Sequence, residues 1–200
     1  MTSTTATPTI TESRIARALT DGLEPKNWII AITVLIGWHA DRFIGVGWGL
    51  VGAVFSGIIP ILFIKFGERR GYWGDRHVRR RQDRLFVIPG IMTSVILGMT
   101  LMIVFSAPQE MIALVAAMLA TLAAILAVTT AWKISVHGAV SAGAVIMLTQ
   151  AYGPWMLVGF ALVALVGWSR IELRDHTPAQ VVAGTALGTL IAATTFAALR

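Results

Sequence analysis

Apolar residues fall in long blocks separated by short polar islands, and nowhere do they alternate with a period of two. Blocks of roughly twenty apolar residues suit helices that cross a bilayer, whereas an outer-membrane barrel would alternate in its strands. The pattern predicts a first run over Asn27–Ala40, ending at Asp41-Arg42, and a second over Phe43–Phe66. Leu85–Ser106 and Pro108–Trp132 follow, with a turn at Ala107-Pro108-Gln109-Glu110. A Gly/Ala-rich run covers Gly138–Tyr152, and Gly153-Pro154 turns the chain into Trp155–Trp168. Val181–Leu199 is the last. The fifth and sixth runs are short for a crossing, so parts of the flanking islands are expected to belong to their helices. The predicted fold class is an all-α, polytopic transmembrane helix bundle of six to seven spans, six if the first run only dips into the bilayer.

Residues 1–26 are polar and Thr-rich and form an N-terminal tail, with Ser13–Leu23 a short amphipathic helix, while 27–200 form a single transmembrane domain. That tail lacks the apolar stretch of a cleaved signal peptide. Composition agrees with a membrane location: 56% of the 200 residues are hydrophobic and 13% are charged, about half the charged share of a soluble domain. The absence of cysteine excludes disulfides and thiolate chemistry. A net charge of +6 would suggest nucleic acid in a soluble protein, but here its placement follows topology instead.

Three polar islands carry most of the chemistry. Gly67–Arg84 holds seven arginines, Lys133–His137 follows the fourth run, and Ser169–Gln180 precedes the last. Two apolar runs separate each island from the next, so all three return to one membrane face. With seven crossings, 14 of the 16 Lys and Arg residues share that face, Arg42 and Arg200 being the exceptions. The positive-inside rule then predicts that the face is cytoplasmic, in an integral protein of a bacterial-type plasma membrane.

Each island has a bland explanation. Basic segments beside spans orient proteins or touch lipid headgroups, and Gly184-x-x-x-Gly188 is a helix-packing pattern. No carboxylate or histidine cluster has metal-ligand spacing, and no P-loop or hydrolase elbow is present. Taken together, however, the islands bring arginines and histidines to one face at span ends, where polar groups are costly. Guanidinium forks match phosphate oxygens, and histidine serves as nucleophile or proton donor near neutral pH. Thr177, Pro178 and Gln180 also spell a helix start with a capping box, whose N–H groups favour an anion.

Ser169-Arg170, five residues, then His176 resembles the third signature of the type 2 phosphatidic acid phosphatase (PAP2) superfamily, Ser-Arg-x5-His-x3-Asp. Ser135-Val136-His137 is similar to its second signature, Pro-Ser-Gly-His, and Asp75–Arg84 resembles a degenerate first one, Lys-x6-Arg-Pro. The likeness covers roughly residues 67–188. It implies a PAP2-type six-helix core and a lipid phosphatase that works without cofactor or metal. In that chemistry His176 attacks phosphorus and His137 protonates the leaving oxygen, while Arg84, Arg170 and Ser135 hold the phosphoryl oxygens. The implied substrate is a lipid phosphomonoester or a (poly)prenyl diphosphate, and the implied partners are membrane lipids rather than nucleic acid.

Several positions depart from the signatures. His77 stands where the family has lysine and Leu85 where it has proline, with Arg81 expected to supply the missing positive charge. Ile134 and Val136 replace Pro and Gly, and Gln180 replaces the aspartate that orients the nucleophile. Gln180 is therefore open to three readings: orienting partner, helix cap, or mark of a degenerate site that binds lipid phosphate without turning it over.

Overall fold

A computed structural model of the chain describes residues 13–73 and 80–200, which are all-helical with no strand. A short helix α1 (Arg14–Gly22) leads into α2 (Pro25–Ala53), which passes through a π segment (Val54–Ile58) into α3 (Ile59–Arg69). Helices α4 (Arg81–Val104), α5 (Gln109–Thr129) and α6 (Val136–Tyr152) follow, then a 3-10 turn (Pro154–Gly159), α7 (Phe160–Glu172) and α8 (Pro178–Leu199). Five stretches are long and apolar enough to cross a membrane: 14–69, 81–104, 109–129, 154–172 and 178–199. That is the character of an integral membrane protein.

The first stretch is not one rod. Asp41 and Arg42 (φ 39°, ψ −120°) leave helical geometry, and the chain doubles back on itself. Gly45 lies backbone-to-backbone against Gly37, and Gly49 against Thr33, so closely that a Cβ at either glycine would collide with the opposite carbonyl. Small residues are what allow two helices to approach this far. The fold-back falls where the polar pair Asp41-Arg42 interrupts the apolar pattern, as expected.

Helix α6 is the central helix, buried over most of its length. This explains its Gly/Ala-rich composition, since it turns little surface toward lipid. Gly184 and Gly188 of α8 press on the carbonyls of Ser135 and Ala139, leaving no space for a Cβ. Helix α1 packs on α7, with Ala16 and Thr20 buried and Thr20 Oγ1 3.0 Å from Ser169 Oγ.

Polar contacts gather at the two ends of the bundle. At one end His39 Nδ1 lies 2.8 Å from Glu110 Oε2, the Tyr152 hydroxyl donates to Leu35 O at 2.6 Å, and Gln109 Nε2 donates to Leu199 O at 2.8 Å. At the other, Arg84 Nη1 donates to Ile134 O at 2.8 Å and Lys133 Nζ to Asp175 O at 3.0 Å. The three polar islands thus meet at one end over their described residues. The larger apolar core, built on Ile36, Met102, Met111, Leu114 and Phe196, lies toward the His39 end. A smaller cluster of Ile88, Ile125, Ile134 and Ala139 supports the islands.

Candidate functional site

Three helix starts converge at the island end. Arg84 sits in the first turn of α4. Ser135 caps α6 with its Oγ accepting the Gly138 N–H at 3.2 Å. Thr177 caps α8, accepting the Gln180 N–H at 3.3 Å, and Gln180 Oε1 accepts the Thr177 N–H at 3.1 Å to close the capping box. The Ser135 N–H donates to Gln180 O at 3.1 Å, so the starts of α6 and α8 are tied backbone to backbone. Positive helix-dipole ends directed at one place favour a negative charge there.

Between α7 and α8 the chain forms a tight loop. Arg174 takes a left-handed conformation (φ 54°), which lets the Asp175 and His176 N–H groups both donate to Arg170 O, at 3.1 and 3.2 Å. Arg170 Nη2 pairs with Asp175 Oδ2 at 2.8 Å, and both side chains are almost wholly buried. Lys133 reaches the same loop through the Asp175 carbonyl. Asp175 is therefore the counter-ion of Arg170 and a clamp on the loop.

His176 is 6% exposed. Its Nδ1 lies 3.2 Å from Gln180 Oε1. Because that oxygen already accepts from the Thr177 N–H, it is an acceptor for His176 as well, and the neutral imidazole carries its proton on Nδ1. The lone pair then sits on Nε2. Burial pushes the His176 pKa down to about 3, the positive charges of Arg84, Lys133 and Arg170 push the same way, and only the Gln180 hydrogen bond opposes them. At neutral pH the ring is uncharged.

Arg84 and His137, both buried, line a cavity whose mouth also carries Glu24, Lys26 and Lys65. Lys26 and Glu24 form an ion pair there. The charges of Arg84, Lys133 and Arg170 all act on His176, and Arg170 is paired with Asp175. Grouped cations of this kind, beside three helix starts, suit an anionic group. Among the described residues no three His, Cys, Asp or Glu side chains cluster as metal ligands.

The sequence candidates are thus distributed as follows. Arg84, His137, Arg170, His176 and Gln180 belong to the convergent end. Ser135 is there too, fully buried, with its oxygen engaged in capping. Arg81 lies on the exposed rim, where Nη1 donates to Thr130 O at 2.7 Å. His77 and Asp75 fall outside the described residues. Sequence reasoning missed Lys133 as part of the site. Its signal was present, a lone lysine two residues ahead of Ser135, but its reach to the Asp175 loop is a tertiary fact. Glu24 and Lys26 carried no signal beyond following the N-terminal helix. No family model, no curated protein and no solved structure matches the chain.

Proposed function

We propose that this protein is a membrane lipid phosphatase of the PAP2 type, hydrolysing a lipid phosphomonoester or a prenyl diphosphate through a phosphohistidine. The observation that carries the reading is His176 held neutral, with Nδ1–H on Gln180, among Arg84, Lys133 and Arg170. A neutral imidazole with a free Nε2 lone pair is a nucleophile, and the cations and helix starts stabilise charge developing on the phosphoryl oxygens.

In the first step His176 Nε2 forms a bond to phosphorus and the ester P–O bond breaks. Protonated His137 gives its proton to the departing lipid oxygen. In the second step water attacks phosphorus, the P–N bond breaks, and His137 takes the water's proton. Arg84 and Arg170 hold the phosphoryl oxygens throughout. The reading includes seven crossings, six of them forming the family core, with the islands in the cytoplasm and the lipid tail in the bundle.

The test is phosphate release from prenyl and glyceryl lipid phosphates by the purified protein. Release lost in both His176→Ala and His137→Ala is the expected result; release unchanged in both overturns the mechanism.

A second reading is favoured by one residue. Gln180 offers a neutral amide where a carboxylate would stabilise the imidazolium character of the intermediate, which fits a lipid-phosphate binder without turnover. That reading predicts Arg170-dependent binding and no release, even in Gln180→Asp.

A further inference from the structure

We infer that the occupant of this site is a single-chain amphiphile of about fifteen chain carbons, whose tail lies inside the helix bundle rather than in the surrounding lipid. The inference deepens the phosphatase reading and rests on it for the phosphate, while the tail argument stands on the cavities alone.

The cavity that begins at Arg84 and His137 does not end at the polar layer. It shares Ile61, Ile64, Ile91, Leu122, Ile125 and Val136 with a second cavity that runs deeper, to Met118, Thr121, Met147 and Ala192. Beyond its charged mouth the lining is almost wholly apolar. The walls come from α2, the π segment, α3, α4, α5, α6 and, at Ala192, α8, so the compartment lies between the helices, open along part of its length, and is continuous with the charged end.

The two cavities measure about 150 and 200 Å³. An apolar cavity of about 150 Å³ holds one benzene ring, so each of these takes roughly six to eight carbons and the pair in line roughly fifteen. A diacyl glycerophosphate, with about thirty chain carbons, needs roughly twice that space. Charge complementarity fixes the orientation: an anionic head at Arg84 and Lys65, beside the Lys26–Glu24 pair, and the chain directed toward the apolar end.

The deeper wall contains Ser56, within the π segment. Its hydroxyl is buried and makes no hydrogen bond among the described residues. Enlarging this residue therefore fills the compartment without breaking a bond. Leu122 lines both cavities, and shortening it opens the passage between them.

The experiment measures binding of n-alkyl phosphonates, which are not hydrolysed, to the full chain in detergent, with diacyl phosphatidate as competitor. Each buried methylene adds affinity, so affinity should rise from about eight to about fourteen carbons and level off beyond. Ser56→Phe should move that plateau several carbons shorter while leaving the shortest phosphonate bound as before, and Leu122→Ala should weaken the longer chains selectively. Equal affinity for phosphatidate and the fourteen-carbon phosphonate, or an unchanged plateau in Ser56→Phe, overturns the proposal. Length-dependent binding by a protein that releases no phosphate upholds the tail compartment and defeats the phosphatase reading; phosphate release with no dependence on chain length does the reverse.

Discussion

Gln180 Oε1 accepts two hydrogen bonds, from the Thr177 backbone N–H at 3.1 Å and from His176 Nδ1–H at 3.2 Å. One amide oxygen therefore caps α8 and sets the tautomer of the candidate nucleophile. Cap and orienting partner, two readings that the sequence left as alternatives, are the same interaction in the folded chain.

Gln180→Glu keeps the length and the acceptor and adds a negative charge. A capping box accepts Glu as readily as Gln. The carboxylate raises the His176 pKa and stabilises the positively charged ring of a phosphohistidine, so turnover should increase by about tenfold or more, in the sense of the losses seen when a triad aspartate becomes an amide. Phosphate release by the purified variant, together with the ring-proton shift of His176 against pH, checks both parts.

The low pKa of His176 has a consequence for stability. Its folded value, about 3, lies below the unfolded value of about 6.5, so between those limits the unfolded chain binds more protons and stability falls as pH falls. The His176 contribution is fully present above about pH 6.5 and is lost progressively toward pH 3. Thermal unfolding in detergent across that window should show a steeper acid decline for the wild type than for His176→Gln.

Gly184 lies against the Ser135 carbonyl with no room for a Cβ. Gly184→Val should wedge α8 from α6 and stretch the Ser135–Gln180 backbone bond. Overpacking of this kind costs about 1–3 kcal/mol. A lowered Tm is expected, and because the cap residues move with their helices, phosphate release should fall at least tenfold. An equal substitution at Gly47, where nothing lies within 4 Å, should do neither.

Sidedness rests on where the cations lie. The chain has no cysteine, so Glu172→Cys at the island end and Phe43→Cys at the other give unique labels. In sealed right-side-out vesicles an impermeant maleimide should reach only the residue 43 label, and inverted vesicles should reverse the result. Labelling of residue 172 from outside would place the islands on the opposite face.

Much of this arrangement was legible because it is local. The Asp41-Arg42 fold-back, the helix beginning after Ser13 and the Thr177–Gln180 cap all follow from polar residues breaking or starting an apolar pattern. Parity alone put the three islands at one end, and the extension of the fifth and sixth helices into their flanking islands followed from span length. What stayed hidden depends on distant partners. The π segment arises because Pro60 has no N–H, the Ile59 N–H bonds back to Val54 O, and Ser94 Oγ fills the Phe55 carbonyl at 2.6 Å. The link from Lys133 to Asp175 and the cavity mouth at Glu24 and Lys26 likewise join residues that no spacing relates.

The backbone bond from Ser135 to Gln180, with Gly184 beneath it, divides the site into two mechanical halves. Residues on α6 and α8 are joined main chain to main chain, so His137 and His176 stand on one jointly packed pair of helices. The opposite half, from α2 through the π segment to α3, supplies cavity walls instead. On the proposed reading, a lipid tail enters between α2, α3, α4 and α5, away from the frame that carries the two imidazoles.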